Sequence, residues 1–72
     1  MTNTLELKAA IMRKGFTAES LADAIGISRQ SMSYKVNNKR EFISSEIAKI
    51  SNTLQLTASE RDMIFFGIKV DK

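Results

Sequence analysis

Glycine occurs only at positions 15, 26 and 67 and proline nowhere, so the chain has three points at which its backbone changes hand without strain. A short stretch of helically spaced apolar residues runs up to each of them. Glycine past the last helical residue is how helices commonly stop, and with stops this close together the helices between them are short. An all-α fold follows. The 72 residues suffice for one small domain, because ordering them costs about 1.5 kcal/mol each and a thin core must offset it. An apolar share of 43% is ordinary for a folded chain and too high for disorder.

Five helices are expected. Asn3 and Glu6 have capping-box spacing, and Leu5, Leu7, Ala10, Ile11 and Met12 carry a first helix near 4–14 to its stop at Gly15. Thr17 caps a second at 18–25 with Leu21, Ala22 and Ile25 on its apolar face, ended by Gly26. Ser28 opens a third at 29–37, in which only Met32 and Val36 are obviously apolar. Phe42 and Ile43 lead to Ser44, read as the cap of a fourth at 45–54 with the stripe Ile47, Ile50 and Leu54. Thr57 and Glu60 form the clearest capping box, opening a fifth at 58–66 that Gly67 closes. The alternation of Ile68, Lys69, Val70 and Asp71 reads as a short extended tail over 67–72. Ile64 and Phe65 are expected to complete a core with Leu7, Ile11, Ile47 and Ile50.

Several chemistries are excluded by what is missing. Without cysteine or histidine there are no disulfides, no Cys/His metal sites, no thiol nucleophile and no Ser-His-Asp arrangement. Only carboxylates and lysines remain for catalysis, and no pair of them marks a cleft, so no enzymatic activity, catalytic residue, metal, cofactor or small-molecule substrate is expected. No apolar run approaches membrane-spanning length, and Glu6 interrupts the place where a signal peptide would need an apolar core. A cytoplasmic protein with no membrane partner is the expectation.

The net charge of +3 is modest, but its distribution is uneven. Arg29, Lys35, Lys39 and Arg40 fall between residues 24 and 40 with no acid, while the other 55 residues hold seven basic against eight acidic groups. The same window contains two short helices joined at a glycine, the second polar and basic, as a helix-turn-helix requires. The offsets fit that motif. Leu21, Ile25, Ile27 and Met32 supply the apolar wedge between the helices, Ala22 leaves room for a close crossing, and Gly26 permits the turn.

Through residues 17–38 and the helices downstream, the chain resembles the λ-repressor-like helix-turn-helix family, the Cro and repressor group. Asn37-Asn38-Lys39-Arg40-Glu41-Phe42 and Leu56-Thr57-Ala58-Ser59-Glu60-Arg61-Asp62 are most similar to small regulators of temperate phages of Gram-positive bacteria, among them the Cro-like modulators of repression of lactococcal phages. The resemblance implies a compact five-helix domain in a bacterial host cell, with helix three in the major groove of operator DNA and two copies on a pseudo-palindrome. It places Arg29, Gln30 and Tyr34 at base edges, where Arg29 suits guanine and Gln30 adenine, and Ser33, one helical turn from Arg29, is expected to add a weaker contact. Lys35, Asn37, Lys39 and Arg40 come beside phosphate, and about four such contacts would give a log-log salt slope near −3.6. Two positions depart from the pattern: Ala18 stands where a phosphate-binding glutamine often begins helix two, and Lys35 stands where an apolar residue is usual. Lys35 is expected to shift the rotation of helix three, or to bury its stem and keep its ammonium outward.

The end of the chain is richer in apolar residues than a small core absorbs. Met63, Phe66, Ile68 and Val70 are therefore expected at a partner seam, in a homodimer or in a heteromer with the phage's main repressor. Two functions compete. One is a Cro-like regulator of the lysis/lysogeny switch that occupies operators through helix three. The other is a modulator of repression, an antirepressor or corepressor, that binds the main repressor and has little or no DNA binding of its own. The missing glutamine, the low net charge and the apolar end favour the second, and the +4 window favours the first.

Overall fold

The computed structural model describes residues 1–67 and contains five helices: α1 (Thr4–Arg13), α2 (Ala18–Ile25), α3 (Arg29–Val36), α4 (Ser44–Leu54) and α5 (Ala58–Phe66). No strand occurs among the described residues. The tail read as extended lies outside the described residues from Ile68 onward.

Four of the five helices begin where an expected cap accepts an amide of the first turn: Asn3, Thr17, Ser28 and Thr57. Thr17 accepts from the Ser20 amide and the Ser20 hydroxyl accepts from Thr17 N–H, a reciprocal box at the start of α2. Thr57 and Glu60 do the same for α5. Two starts differ from expectation in instructive ways. Asn3 accepts from the Glu6 amide, but its own N–H is donated to the Ile64 carbonyl of α5 rather than back to Glu6. Ser44 does not cap α4; it is the first helical residue, Ile43 takes the cap position, and the Glu46 carboxylate accepts from Ile43 N–H. A carboxylate at this point also answers the positive end of the helix dipole.

The stops of α1, α2 and α5 follow the glycines; α3 and α4 end without one, and Asn38 takes the left-handed conformation beyond α3 with φ 62°. Gly26 has φ +81° with open space where a Cβ would stand, so glycine is needed there for its backbone and not for room. At the end of α4 no glycine is available, and Gln55 adopts φ 54° instead. Helices α1 and α3 end one residue earlier than their sequence patterns suggest, at Arg13 and Val36.

The core draws on every helix. Leu7, Ala10 and Ile11 of α1, Leu21, Ala22 and Ile25 of α2, Met32 and Val36 of α3, Ile47, Ile50 and Leu54 of α4, and Ile64 and Phe65 of α5 are all buried. Phe42, in the loop before α4, is buried too and meets Phe65 edge to face with ring centroids 5.4 Å apart. Helix α2 packs on both α3 and α4, which fixes α3 against the body with its polar side outward. Ala22 is wholly buried, consistent with the close crossing its small size allows.

Candidate recognition surface

Successive residues of a helix are about 100° apart, so burying Met32 and Val36 turns a defined set of α3 residues outward. Arg29, Gln30, Ser33 and Asn37 are exposed on that side, and Tyr34 is half-buried beside them. All four residues expected at base edges thus share one face.

These side chains are already tied to one another. Gln30 Nε2 donates to the Tyr34 hydroxyl at 3.0 Å, and the Arg40 guanidinium stands 5.4 Å from the centre of the Tyr34 ring, a cation–π distance. Asn37 Nδ2 donates to the Ser33 carbonyl, helping to close the end of α3. Arg29 Nη2 reaches back across the turn to Asp23 Oδ2 of α2 at 3.2 Å. With both side chains of that pair about two-thirds exposed (66% and 63%), solvent screens it and a competing ligand opens it easily.

Lys35 is different. It points to the other side of α3, where its ammonium donates to Glu46 of α4, and the two side chains retain only 13% and 9% of their exposure. Burial alone would push the Glu46 carboxyl up, but the bond from Lys35, the Ile43 N–H and the charges of Lys35 and Lys49 together hold it below its ordinary range. The stem of Lys35 is buried as a displaced apolar residue would be, and its charge is met by a carboxylate rather than by water. Of the four residues expected beside phosphate, Lys39 and Arg40 are exposed at the exit of α3 and Asn37 is exposed at its last turn, while Lys35 is committed to Glu46. Glu19, the residue after Ala18, is exposed in the first turn of α2.

Glu46 and Asp23 are the residues that reading the sequence missed. Glu46 lies three residues after a cap position, which is a signal of sorts, but its partner is eleven residues away on another helix.

The expected partner seam divides. Ile64 and Phe65 are core, Met63 is half-buried and Phe66 keeps 52% of its exposure. Ile68 and Val70 lie outside the described residues. Phe66 stands at the edge of a cavity of about 510 Å³ between α4 and α5, lined also by Ile47, Ala48, Ser51 and Arg61. Among the described residues no cluster of carboxylates suits a metal ion, and no helix is long and apolar enough to cross a membrane.

A family model described as a protein of unknown function, DUF739, matches residues 3–67. No curated protein matches the chain.

Proposed function

The chain belongs to the DUF739 family, and we propose that it is a helix-turn-helix regulator of a temperate-phage genetic switch, related to Cro and the repressors, that acts as a modulator of repression by binding the phage's main repressor through the outer face of α3. The observation that carries this reading is the commitment of Lys35 to Glu46. A DNA-binding helix needs cations free for phosphate, and each one withdrawn reduces the counterion release that drives nonspecific binding. Asn37 is uncharged and releases no counterion, so with Lys35 withdrawn only Lys39 and Arg40 of the four count, and the log-log salt slope of a monomer is about −1.8 instead of the −3.6 that four cationic contacts would give. Exposed Glu19 opposes phosphate further. A face of tyrosine and arginine is, by contrast, the composition that dominates protein interfaces. Phe66 and Met63 offer a second seam, for a homodimer or for the same heteromer.

Operator DNA is the second reading, and it has its own support. Arg29, Gln30 and Ser33 stand side by side in solvent, Arg29 is held only by a screened pair, and both long side chains have the forked geometry that reads guanine and adenine edges.

Fluorescence anisotropy of a labelled duplex from the phage's own switch region, at near-physiological salt, separates the two. The expected result is weak, unspecific binding by the protein alone and a changed complex once the main repressor is added. Submicromolar binding by the protein alone, lost on scrambling the duplex, would replace the first reading with the second. A duplex and a repressor complex that both ignore the protein would remove both.

A further inference from the structure

Asn38 stands two residues past the end of α3, just beyond its cap Asn37, with φ 62°, in the left-handed region. The bonds around it are those of a helix stop usually built with glycine: Lys39 N–H donates to the Tyr34 carbonyl at 2.8 Å and Asn38 N–H to the Lys35 carbonyl at 3.3 Å. Asparagine tolerates this conformation less well than glycine, and here its carboxamide is fully used. Asn38 Oδ1 accepts from Thr2 N–H at 3.0 Å, while Nδ2 donates to the Thr2 carbonyl at 2.8 Å and lies 3.2 Å from Thr4 Oγ1. The Thr4 hydroxyl donates in turn to the Val36 carbonyl at 2.6 Å, satisfying one of the orphan acceptors at the end of α3. Thr2 is buried by these contacts, and Asn3 N–H donates to the Ile64 carbonyl. Residues 2–4 thus tie the end of α3 to α5.

We propose that Asn38, strapped by Thr2 and Thr4, is the positioning residue of the α3 face, an inference that rests on the reading of that face as the functional one. Its backbone sets the direction in which the chain leaves α3, and therefore where Lys39 and Arg40 stand. Arg40 then lies on the Tyr34 ring, and the Tyr34 hydroxyl holds Gln30, so a contact path runs from the amino-terminal segment to the centre of the face. Side chains held before the partner arrives lose less conformational freedom on binding.

The backbone and the carboxamide are separable by substitution. Asn38→Gly keeps the left-handed turn and removes all three side-chain bonds, whereas Asn38→Asp keeps an acceptor for Thr2 N–H and removes the donor. The end of α4 supplies an internal control, because Gln55 there takes the same conformation, with Leu56 N–H donating to the Ser51 carbonyl, and makes no hydrogen bond to residues 2–4. Amide hydrogen exchange by NMR on the free full-length chain reads both ends at once. In Asn38→Gly, exchange at Lys39 is expected to be about tenfold faster, the loss of a few local hydrogen bonds, while Leu56 is unchanged. The Tyr34 ring and Gln30 side-chain amide resonances move with it, and Asn38→Asp is intermediate. Should the glycine variant fail to fold, the same comparison is made on Asn38→Asp. An unchanged Lys39 rate, or equal acceleration at Lys39 and Leu56, would overturn the proposal. Because no partner is present, this outcome is independent of the anisotropy result that decides the function.

Discussion

Helices α3 and α4 lie close in the chain and use their residues in opposite ways. In α4 the stripe of Ile47, Ile50 and Leu54 is buried, the helix is three turns long, and even its carboxylate Glu46 is drawn into the body. Helix α3 is two turns long, buries only Met32 and Val36 as apolar residues, ties Lys35 to Glu46 of α4, and turns Arg29, Gln30 and Ser33 to solvent. Two turns of polar helix would not persist alone, since helical nucleation is costly and short helices are marginal in water. Helix α3 is therefore held from outside by Ser28 at its start, by Glu46 through Lys35 at its flank, and by residues 2–4 at its end. With only Met32 and Val36 in the core, the outer residues of α3 can be exchanged without loss of burial, provided that these three supports remain.

The contrast is broken most sharply at Ile50, which is wholly buried. Ile50→Ala is expected to cost about 3 kcal/mol by lost burial and a residual cavity, read as a shift in a urea transition. A cost near zero would mean that α4 is not the pillar described.

Glu46→Ala comes next, at about 2–3 kcal/mol at neutral pH, because it leaves the Lys35 ammonium enclosed without a partner and α4 without its first acceptor. Its pH dependence carries the sign. The Glu46 carboxyl titrates lower in the folded chain than its ordinary 4.5, so the unfolded chain takes up the proton first. The stabilisation is complete above 4.5 and disappears as pH falls through the lower, folded value. The gap between parent and variant stabilities should close over that acidic range; a gap independent of pH would refute the ionic account.

The smallest stability effect is expected at Gln30. Gln30→Ala should shift the transition by less than about 0.5 kcal/mol, since the side chain is exposed. The same variant should weaken the complex found by anisotropy, and a large stability loss there would erase the division between a supporting helix and a presenting one.

How legible these features are in the sequence depends on how local they are. Thr17, Thr57, Gly26 and Gly67 announce helix ends because a cap or a left-handed stop involves residues within one turn, and the apolar stripes locate the core for the same reason. Gln55 gives no such notice: it takes a left-handed conformation because α4 has to end there, a demand set by packing. The fate of Lys35 was visible as a departure from an apolar position, yet only the approach of α4 determines that its charge meets Glu46. Asn38 looks like an ordinary turn residue beside Asn37, and its role depends on residues 2–4, more than thirty positions earlier. The outward face of α3 could be read from Met32 and Val36, whereas the pairings that decide its charge are tertiary.

The chain has no tryptophan, and Tyr34 is its only tyrosine. Absorbance near 280 nm and ultraviolet fluorescence therefore come almost wholly from one ring, with Arg40 against it and Gln30 on its hydroxyl. A change in polarity or quenching around that ring reports on the α3 face alone, without a contribution from the core. The native molecule thus carries its own optical label at the surface where a partner would arrive, and a titration with DNA, which fluoresces negligibly, needs no dye on the protein.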